Sequence, residues 1–163
     1  MGITGTNPLR EPWNKGKIVG QKAPFKLKDI WALRVRFQME HRVRELALFN
    51  LGKDSKLRGC DLVALKVGDV GHGDQLASRA IVMPHKIQRP VQFEITQATR
   101  DALQAWIKQV GPKPEDFLFP SRLHDSPHLG TRQYARIFGH WVDELGWTVP
   151  TIGRTRCEGP RRR

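Results

Sequence analysis

The sequence has few of the residues that mark secreted or membrane proteins. It holds two cysteines and one tyrosine among 163 residues. Cys60 and Cys157 lie far apart, so we expect no disulfide scaffold and a reducing, cytoplasmic location. No apolar run approaches the roughly 20 residues of a membrane-spanning helix, and no signal-peptide segment follows Met1. Secreted, membrane-spanning and collagen-like classes are therefore disfavoured.

Acidic residues are scarce relative to basic ones. Sixteen Asp and Glu stand against 28 Lys and Arg, which gives a formal net charge of +12. Such an excess of positive charge indicates a polyanionic partner, most often nucleic acid. Residues 147–163 hold five arginines and one glutamate, so they contribute +4, and the other 146 residues contribute +8. The basic character therefore does not depend on the final arginine run.

Three segments differ along the chain. Residues 1–26 combine Pro, Gly and Lys without an apolar period, which predicts a flexible basic arm; a solvated leader that never touches DNA fits the same composition. Residues 27–146 carry the apolar periodicity of a folded domain. Residues 147–163 lose that periodicity and read as a basic tail.

Helices are predicted in the first part of the folded segment. Residues 27–40 also show the apolar alternation of a strand, but residues 27–51 contain neither Gly nor Pro and are long enough for two helices, which we prefer and expect to break near His41. A second break is expected at Gly52. A short helix is predicted over residues 58–66.

A β-hairpin is predicted next. Strands at 78–84 and 90–95 show apolar alternation, with Ile81 and Met83 on one side of the first strand. The connection, residues 85–89, is too long for a two-residue turn and should form a basic tip.

Two amphipathic helices follow the hairpin. The first has apolar residues at helical spacing between Leu103 and Val110, and the second covers 131–145, with Thr131 as N-cap and Gly146 as C-cap. The stretch between the two helices is rich in proline and reads as a loop.

The most informative stretch surrounds Arg58. A loop delivers this arginine to the start of a short helix that carries Leu62 and Leu65, and the pair Asp69-Val70 closes the helix. A guanidinium at such a position can hold a phosphate with two hydrogen bonds. Taken alone, the stretch fits a surface arginine beside a core helix better.

The order of these features resembles the catalytic domain of the tyrosine recombinases, the phage-integrase family. The family's first catalytic arginine lies in the pattern G-L-R-x-x-E-L-x-x-L-x-x-x-D-[VI], which Arg58 matches with Lys56 for Gly and Asp61 for Glu. Lys86, on the predicted hairpin, matches the family's catalytic lysine. The resemblance covers about 27–146 and implies an α+β, mainly α fold with a small antiparallel sheet, cut short.

The resemblance implies DNA integration and recombination without metal or cofactor. In the family a tyrosine attacks a DNA phosphate, arginines and histidines stabilise its charge, and a lysine protonates the leaving 5′-oxygen. Arg58 would be the first arginine and Lys86 the general acid. The implied partner is double-stranded DNA, with no membrane. Family members assemble as oligomers on DNA, whereas this shortened chain is expected to be monomeric.

The other catalytic residues of the family have no match after Gly146. The family has a His-x-x-Arg box there, then a Gly-His pair and the nucleophilic tyrosine. The sole tyrosine, Tyr134, lies on the apolar side of a predicted helix, so we expect it in the core. His124 and His128 have a metal-binding spacing, but Pro127 between them indicates a loop, so no metal is expected. We therefore expect a cleavage-defective recombinase domain.

A change of reading frame accounts for the missing box. In the shifted frame, each new codon consists of the third base of one codon and the first two bases of the next. Read in this way from Thr151, the gene can encode Tyr-Arg-Ser-His-Ser-Leu-Arg-Arg-Thr-Lys-Ala-Thr, which contains His-x-x-Arg. At the step from Cys157 to Glu158 the shifted codon is Arg or stop. We expect the frame to slip near Gly146; coincidence is the alternative, because the third bases are free.

Two other readings stay open at this point. One is a product without function that folds poorly. The other is a non-enzymatic, basic nucleic-acid-binding module with salt-dependent phosphate contacts. Besides the tail, the cations assigned to those contacts are Lys15, Lys17, Lys22, Arg34, Arg36, Arg42 and Arg44.

Overall fold

The computed structural model describes residues 25–72, 75–122 and 126–146, so most of the predicted arm and the whole tail lie outside it. The described residues form a mainly helical α+β fold with short antiparallel strands, as expected. The elements are α1 (Leu27–Met39), α2 (Val43–Ser55), α3 (Gly59–Val63), α4 (Val67–Val70), β1 (Gly71–His72), β2 (Gln75–Leu76), β3 (Arg79–Val82), β4 (Val91–Glu94), α5 (Gln97–Val110) and α6 (Thr131–Glu144).

The first two helices follow the prediction at one end only. The break at His41 is confirmed, because this residue has a left-handed backbone with φ of 54°. The expected break at Gly52 is wrong, since α2 runs on to Ser55 and ends at Lys56 with φ of 53°. A Cβ at Gly52 would lie 3.3 Å from the Tyr134 hydroxyl. The glycine therefore admits a packed neighbour, and core packing outweighs its helix-propensity cost of about 1 kcal/mol.

The helix predicted over 58–66 is shorter, because α3 ends at Val63, and a second short helix, α4, begins after the predicted range at Val67. The backbone N–H of Lys66 donates to Asp69 Oδ2 at 2.8 Å, so Asp69 caps a new helix, α4, instead of closing α3. Between the two helices the chain pairs with the proline-rich loop, where the Leu118 N–H donates to the Leu65 carbonyl at 2.8 Å. This distant partner is what interrupts the helix.

The hairpin of β3 and β4 is confirmed. The buried side of β3 is, however, the one opposite to the apolar residues from which the strand was predicted. Ala80 pairs with Phe93, and both are buried. Ile81 and Met83, the larger apolar residues, are each 64% exposed. Alternation fixes which residues share a side of a strand, but not which side meets the core. The small hairpin of β1 and β2 was not predicted.

The core forms around α2, which packs against α1 and α5. Trp141 of α6 reaches this core, with its ring centroid 5.4 Å from that of Phe37 and 5.5 Å from that of Phe49. The α6 helix ends near Gly146 as expected, but Gly130 takes the N-cap position assigned to Thr131. Among the described helices, none is long and apolar enough to cross a membrane.

A carboxylate at the end of α2 caps α5. Asp54 Oδ2 accepts three hydrogen bonds: from the Thr96 N–H at 3.0 Å, from the Thr96 hydroxyl at 2.8 Å and from the Thr99 hydroxyl at 2.6 Å. These bonds satisfy donors at the start of α5 that the helix itself leaves unpaired. They also fix the end of α2, from which the chain runs directly to Arg58.

Candidate nucleic-acid interface

Arg58 stands at the entrance to α3. Its backbone is extended, with φ of −65° and ψ of 149°. Its carbonyl accepts the N–H groups of Asp61 at 3.0 Å and Leu62 at 2.9 Å, which starts the helix. The side chain is exposed and makes no hydrogen bond or ion pair with any residue that the structure describes. The guanidinium is therefore available to an external anion.

Lys86 lies in the connection between β3 and β4, as the sequence predicts. The connection covers residues 83–90, and Gln88 closes it with a left-handed φ of 50° and an N–H donated to the Pro84 carbonyl at 3.3 Å. Lys86 is exposed, and so are His85 and Arg89 beside it. Within the described ranges its ammonium has no polar partner, so this tip presents free positive charge.

One hydrogen bond ties the hairpin tip to the helix of Arg58. Asp61 is 7% exposed, and its Oδ1 accepts the backbone N–H of His85 at 3.1 Å. Asp61 follows Arg58 by three residues, and His85 directly precedes Lys86. The structure therefore brings the two chain segments that carry the predicted residues close together, and this region is called here the cationic edge (Arg58, Lys86). The sequence marked Asp61 only as a motif position, and the contact itself carries no sequence signal.

Tyr134 packs beneath this edge. A Cβ at Gly59 would lie 3.1 Å from the Tyr134 ring, and one at Gly52 would lie 3.3 Å from its hydroxyl. Burial raises the pKa of the Tyr134 phenol above its usual value. The hydroxyl thus faces α2 and stays protonated, so this tyrosine supports the turn of Arg58 and belongs with the core, as expected.

Arg42 is not free to bind phosphate. Its guanidinium pairs with Glu40 at 3.1 Å, with Glu144 at 2.8 Å and with Glu45. Burial alone would lower the pKa of Arg42, but the hydrogen bonds that Arg42 donates to these carboxylates raise it above the usual value. Trp141 adds its indole N–H to Glu45 at 2.6 Å. The assignment of Arg42 to phosphate contacts is wrong, because its guanidinium is already paired with carboxylates and joins α1, α2 and α6.

Arg44 is buried, and Arg36 is exposed but bonded to the end of α6. Arg44 is 8% exposed and donates to the Pro120 carbonyl at 2.7 Å. Burial, and then the nearby Arg122, lower the pKa of Arg44. Arg36 donates to the Glu144 carbonyl at 2.9 Å. The assignment of Arg44 to phosphate contacts is wrong, and that of Arg36 is weakened.

The histidine pair considered for a metal is incomplete in the structure. His124 lies outside the described residues, and His128 Nδ1 is 2.9 Å from the Leu129 carbonyl oxygen. Across the described ranges, no three His, Cys, Asp or Glu side chains are grouped to hold a metal ion. The Cys60 thiol is free and half-buried on α3.

Comparison with known proteins rests on structure. No protein-family model matches the chain, and no curated protein matches it. Among solved structures, the chain is similar to XerA recombinase, with a TM-score of 0.62 and 18% sequence identity over 78% of this chain. The fold is recombinase-like. This chain spans 44% of the XerA chain, and at this identity the similarity establishes the fold alone.

Proposed function

We propose that this chain is a DNA-binding protein of the tyrosine-recombinase type, whose cationic edge holds one backbone phosphate. The observation that carries the proposal is the hydrogen bond from the His85 N–H to Asp61, which joins the Lys86 tip to the helix of Arg58. The recombinase-like fold supports it. The domain would comprise residues 27–146 and act as a monomer on double-stranded DNA in the cytoplasm.

The two cations suit different parts of a phosphate. The planar guanidinium of Arg58 can donate two hydrogen bonds to the non-bridging oxygens, where negative charge builds up during phosphoryl transfer. The ammonium of Lys86, on a flexible four-carbon stem, can give a proton to a leaving 5′-oxygen. Neither side chain has a protein partner to displace in the described part of the chain.

Strand cleavage needs a nucleophile, and we propose that this chain lacks one. Tyr134 is the sole tyrosine in the sequence. Its hydroxyl faces Gly52 of α2, and partial burial raises its pKa, which opposes ionisation. The chain would therefore bind DNA without forming a phosphotyrosyl bond. Incubation with nicked duplex DNA tests this: no covalent adduct should survive denaturation, and one that did would contradict the cleavage defect.

The phosphate site is tested by DNA affinity. We expect Arg58→Gln and Lys86→Gln each to weaken duplex binding five- to tenfold, as the loss of one charge-assisted contact predicts. Each should also reduce the slope of log affinity against log salt by about 1. Arg136→Gln and Lys108→Gln, exposed residues of α6 and α5, are the matched controls. Equal losses in all four variants would favour the non-enzymatic basic module instead.

We also propose that the reading frame changes near Gly146. The nucleotide sequence of the gene tests this directly. A His-x-x-Arg box should be encoded in the shifted frame after codon 146, followed by a Gly-His pair and a tyrosine. If both other frames lack the box, the proposal fails.

A further inference from the structure

An apolar strip runs along the outer side of α1. Its members recur every four residues, so they are neighbours on the helix surface. They are Leu27, Trp31, Val35 and Met39, with exposed fractions of 76, 63, 44 and 76%. Leu33 and Phe37 bury the opposite side of the same helix. At a rise of 1.5 Å per residue the strip is about 18 Å long. Contiguous exposed apolar surface of this kind marks an interaction site.

Positive charges flank the strip on both sides. At 3.6 residues per turn, Arg34 lies to one side of it and Lys28 to the other. The Arg34 guanidinium is 5.7 Å from the centroid of the Trp31 ring. No carboxylate pairs with Arg34 or Lys28 within the described ranges. Asp29, the one acid within α1, is 8% exposed and accepts the Lys26 N–H at 3.2 Å. The outer side of α1 is thus apolar at the centre and cationic at its margins.

A cleft adjoins the strip on the side of Lys28. It has a volume of about 380 Å³ and lies between α1 and the end of α6, and its lining is mixed: Lys28, Asp29, Ala32, Leu33, Arg36, Glu144 and Leu145. An exposed apolar ridge beside a concave cleft can receive side chains from two rows of a partner helix. This shape fits the recognition mode in which an amphipathic helix presents residues at i, i+3, i+4 and i+7.

We propose that the α1 strip is a docking surface for an acidic amphipathic helix of a partner protein. The apolar row of such a helix would cover the strip, and its carboxylates would meet Lys28 and Arg34. The contact surface of one short helix is smaller than a standard interface, so binding is weak and transient, with a Kd on the order of 10 µM.

Other occupants fit the strip less well. A second copy would bring Lys28 and Arg34 against like charges, on a chain of net charge +12. A DNA backbone offers no apolar surface to cover four large side chains. An anionic bilayer needs a broad apolar plane, whereas this strip is a single row of four side chains on one helix.

The test uses the full chain and a labelled 20-residue peptide, with leucine at i, i+3, i+4 and i+7 of each repeat and glutamate elsewhere. We expect fluorescence anisotropy to report binding near 10 µM. The double variant Trp31→Ala with Met39→Ala should weaken it at least tenfold. Val110→Ala, which removes a 42% exposed apolar side chain from α5, should change it less than twofold. A peptide with lysine for glutamate should bind at least tenfold more weakly.

Several results would overturn the proposal. Absence of peptide binding at 200 µM would do so, as would binding that the double variant leaves unchanged. Loss of self-association in the double variant, measured by sedimentation, would assign the strip to a second copy. If the double variant lost binding to anionic phospholipid vesicles, the strip would be assigned to a membrane. If it lost affinity for duplex DNA, the strip would be assigned to nucleic acid. Circular dichroism should show that the double variant and Val110→Ala are both folded. If the double variant is unfolded, Trp31→Ala alone must weaken peptide binding at least threefold.

Discussion

Two clusters of positive charge in this molecule have different roles. At the cationic edge, Arg58 and Lys86 are exposed and have no polar partner in the described part of the chain. At the arginine corner, defined here as Arg36 of α1 with Arg42 and Arg44 at the start of α2, each guanidinium is engaged with a carboxylate or a backbone carbonyl. The first cluster can attract a polyanion, while the second stabilises the fold.

The contrast shows what a net charge can and cannot indicate. Counted in the sequence, all five residues are equal contributions to a basic protein. In the structure, the corner arginines are neutralised or buried, so little of their charge reaches a ligand. A basic composition predicts a polyanionic partner, but the cations that meet it are those that the fold leaves unpaired.

The largest effect is expected at the arginine corner. Arg42→Gln removes the partner of three carboxylates at once and leaves the half-buried Glu45 with only the Trp141 indole N–H and Glu144 with only Arg36, at 3.8 Å. We expect a loss of about 2 kcal/mol in the free energy of unfolding, less than for a fully buried pair because solvent screens the group. Urea denaturation measures it, and the affinity for duplex DNA should stay within twofold.

Arg58→Gln is the reciprocal variant. It should change the free energy of unfolding by less than about 0.5 kcal/mol, as at other exposed sites, and should lower DNA affinity. If Arg42→Gln weakened DNA binding as much as Arg58→Gln does, the distinction between corner and edge would be wrong. Arg136→Gln serves as the neutral reference for both.

An intermediate effect is expected at Asp61. Asp61→Ala removes the acceptor of the His85 N–H, which should cost about 1 to 2 kcal/mol, as for hydrogen bonds to charged groups. Amide exchange at His85 should become faster, and DNA affinity should fall because Lys86 is no longer held near Arg58. Asp61→Asn keeps the acceptor oxygen and should retain most of the affinity. Asp101→Ala, at an exposed site on α5, is the control.

A double variant separates positioning from stability. If Asp61 acts through Lys86, then Asp61→Ala should have little further effect on DNA affinity once Lys86→Gln is present. Fully additive losses would contradict the positioning role and leave Asp61 a purely structural residue.

The sequence predicted the edge better than the corner. The arginine box and the hairpin lysine are local patterns, and the structure has Arg58 at a helix entrance and Lys86 at a hairpin tip, as expected. The ion pair of Arg42 with Glu144 joins residues 102 positions apart, and no local pattern signals it. The continuation of α2 through Gly52 and the exposed side of β3 likewise depend on neighbours distant in sequence.

The smallest effect concerns the support beneath the edge. Because burial raises the pKa of Tyr134 in the folded state, the folded protein holds this proton more tightly than the unfolded chain. The contribution of Tyr134 to the free energy of unfolding is therefore fully present below a pH of about 10, the pKa of a free tyrosine, and it falls as the pH rises above that value. Tyr134→Phe should remove that part of the decline, while Trp31→Ala should leave it unchanged. Urea denaturation between about pH 8 and 11 measures the difference, which we expect to stay below about 1 kcal/mol. Identical pH profiles for Tyr134→Phe and the parent would mean that the phenol beneath Arg58 is open to solvent, and the cationic edge would then lack the packed support that separates it from a mobile surface loop.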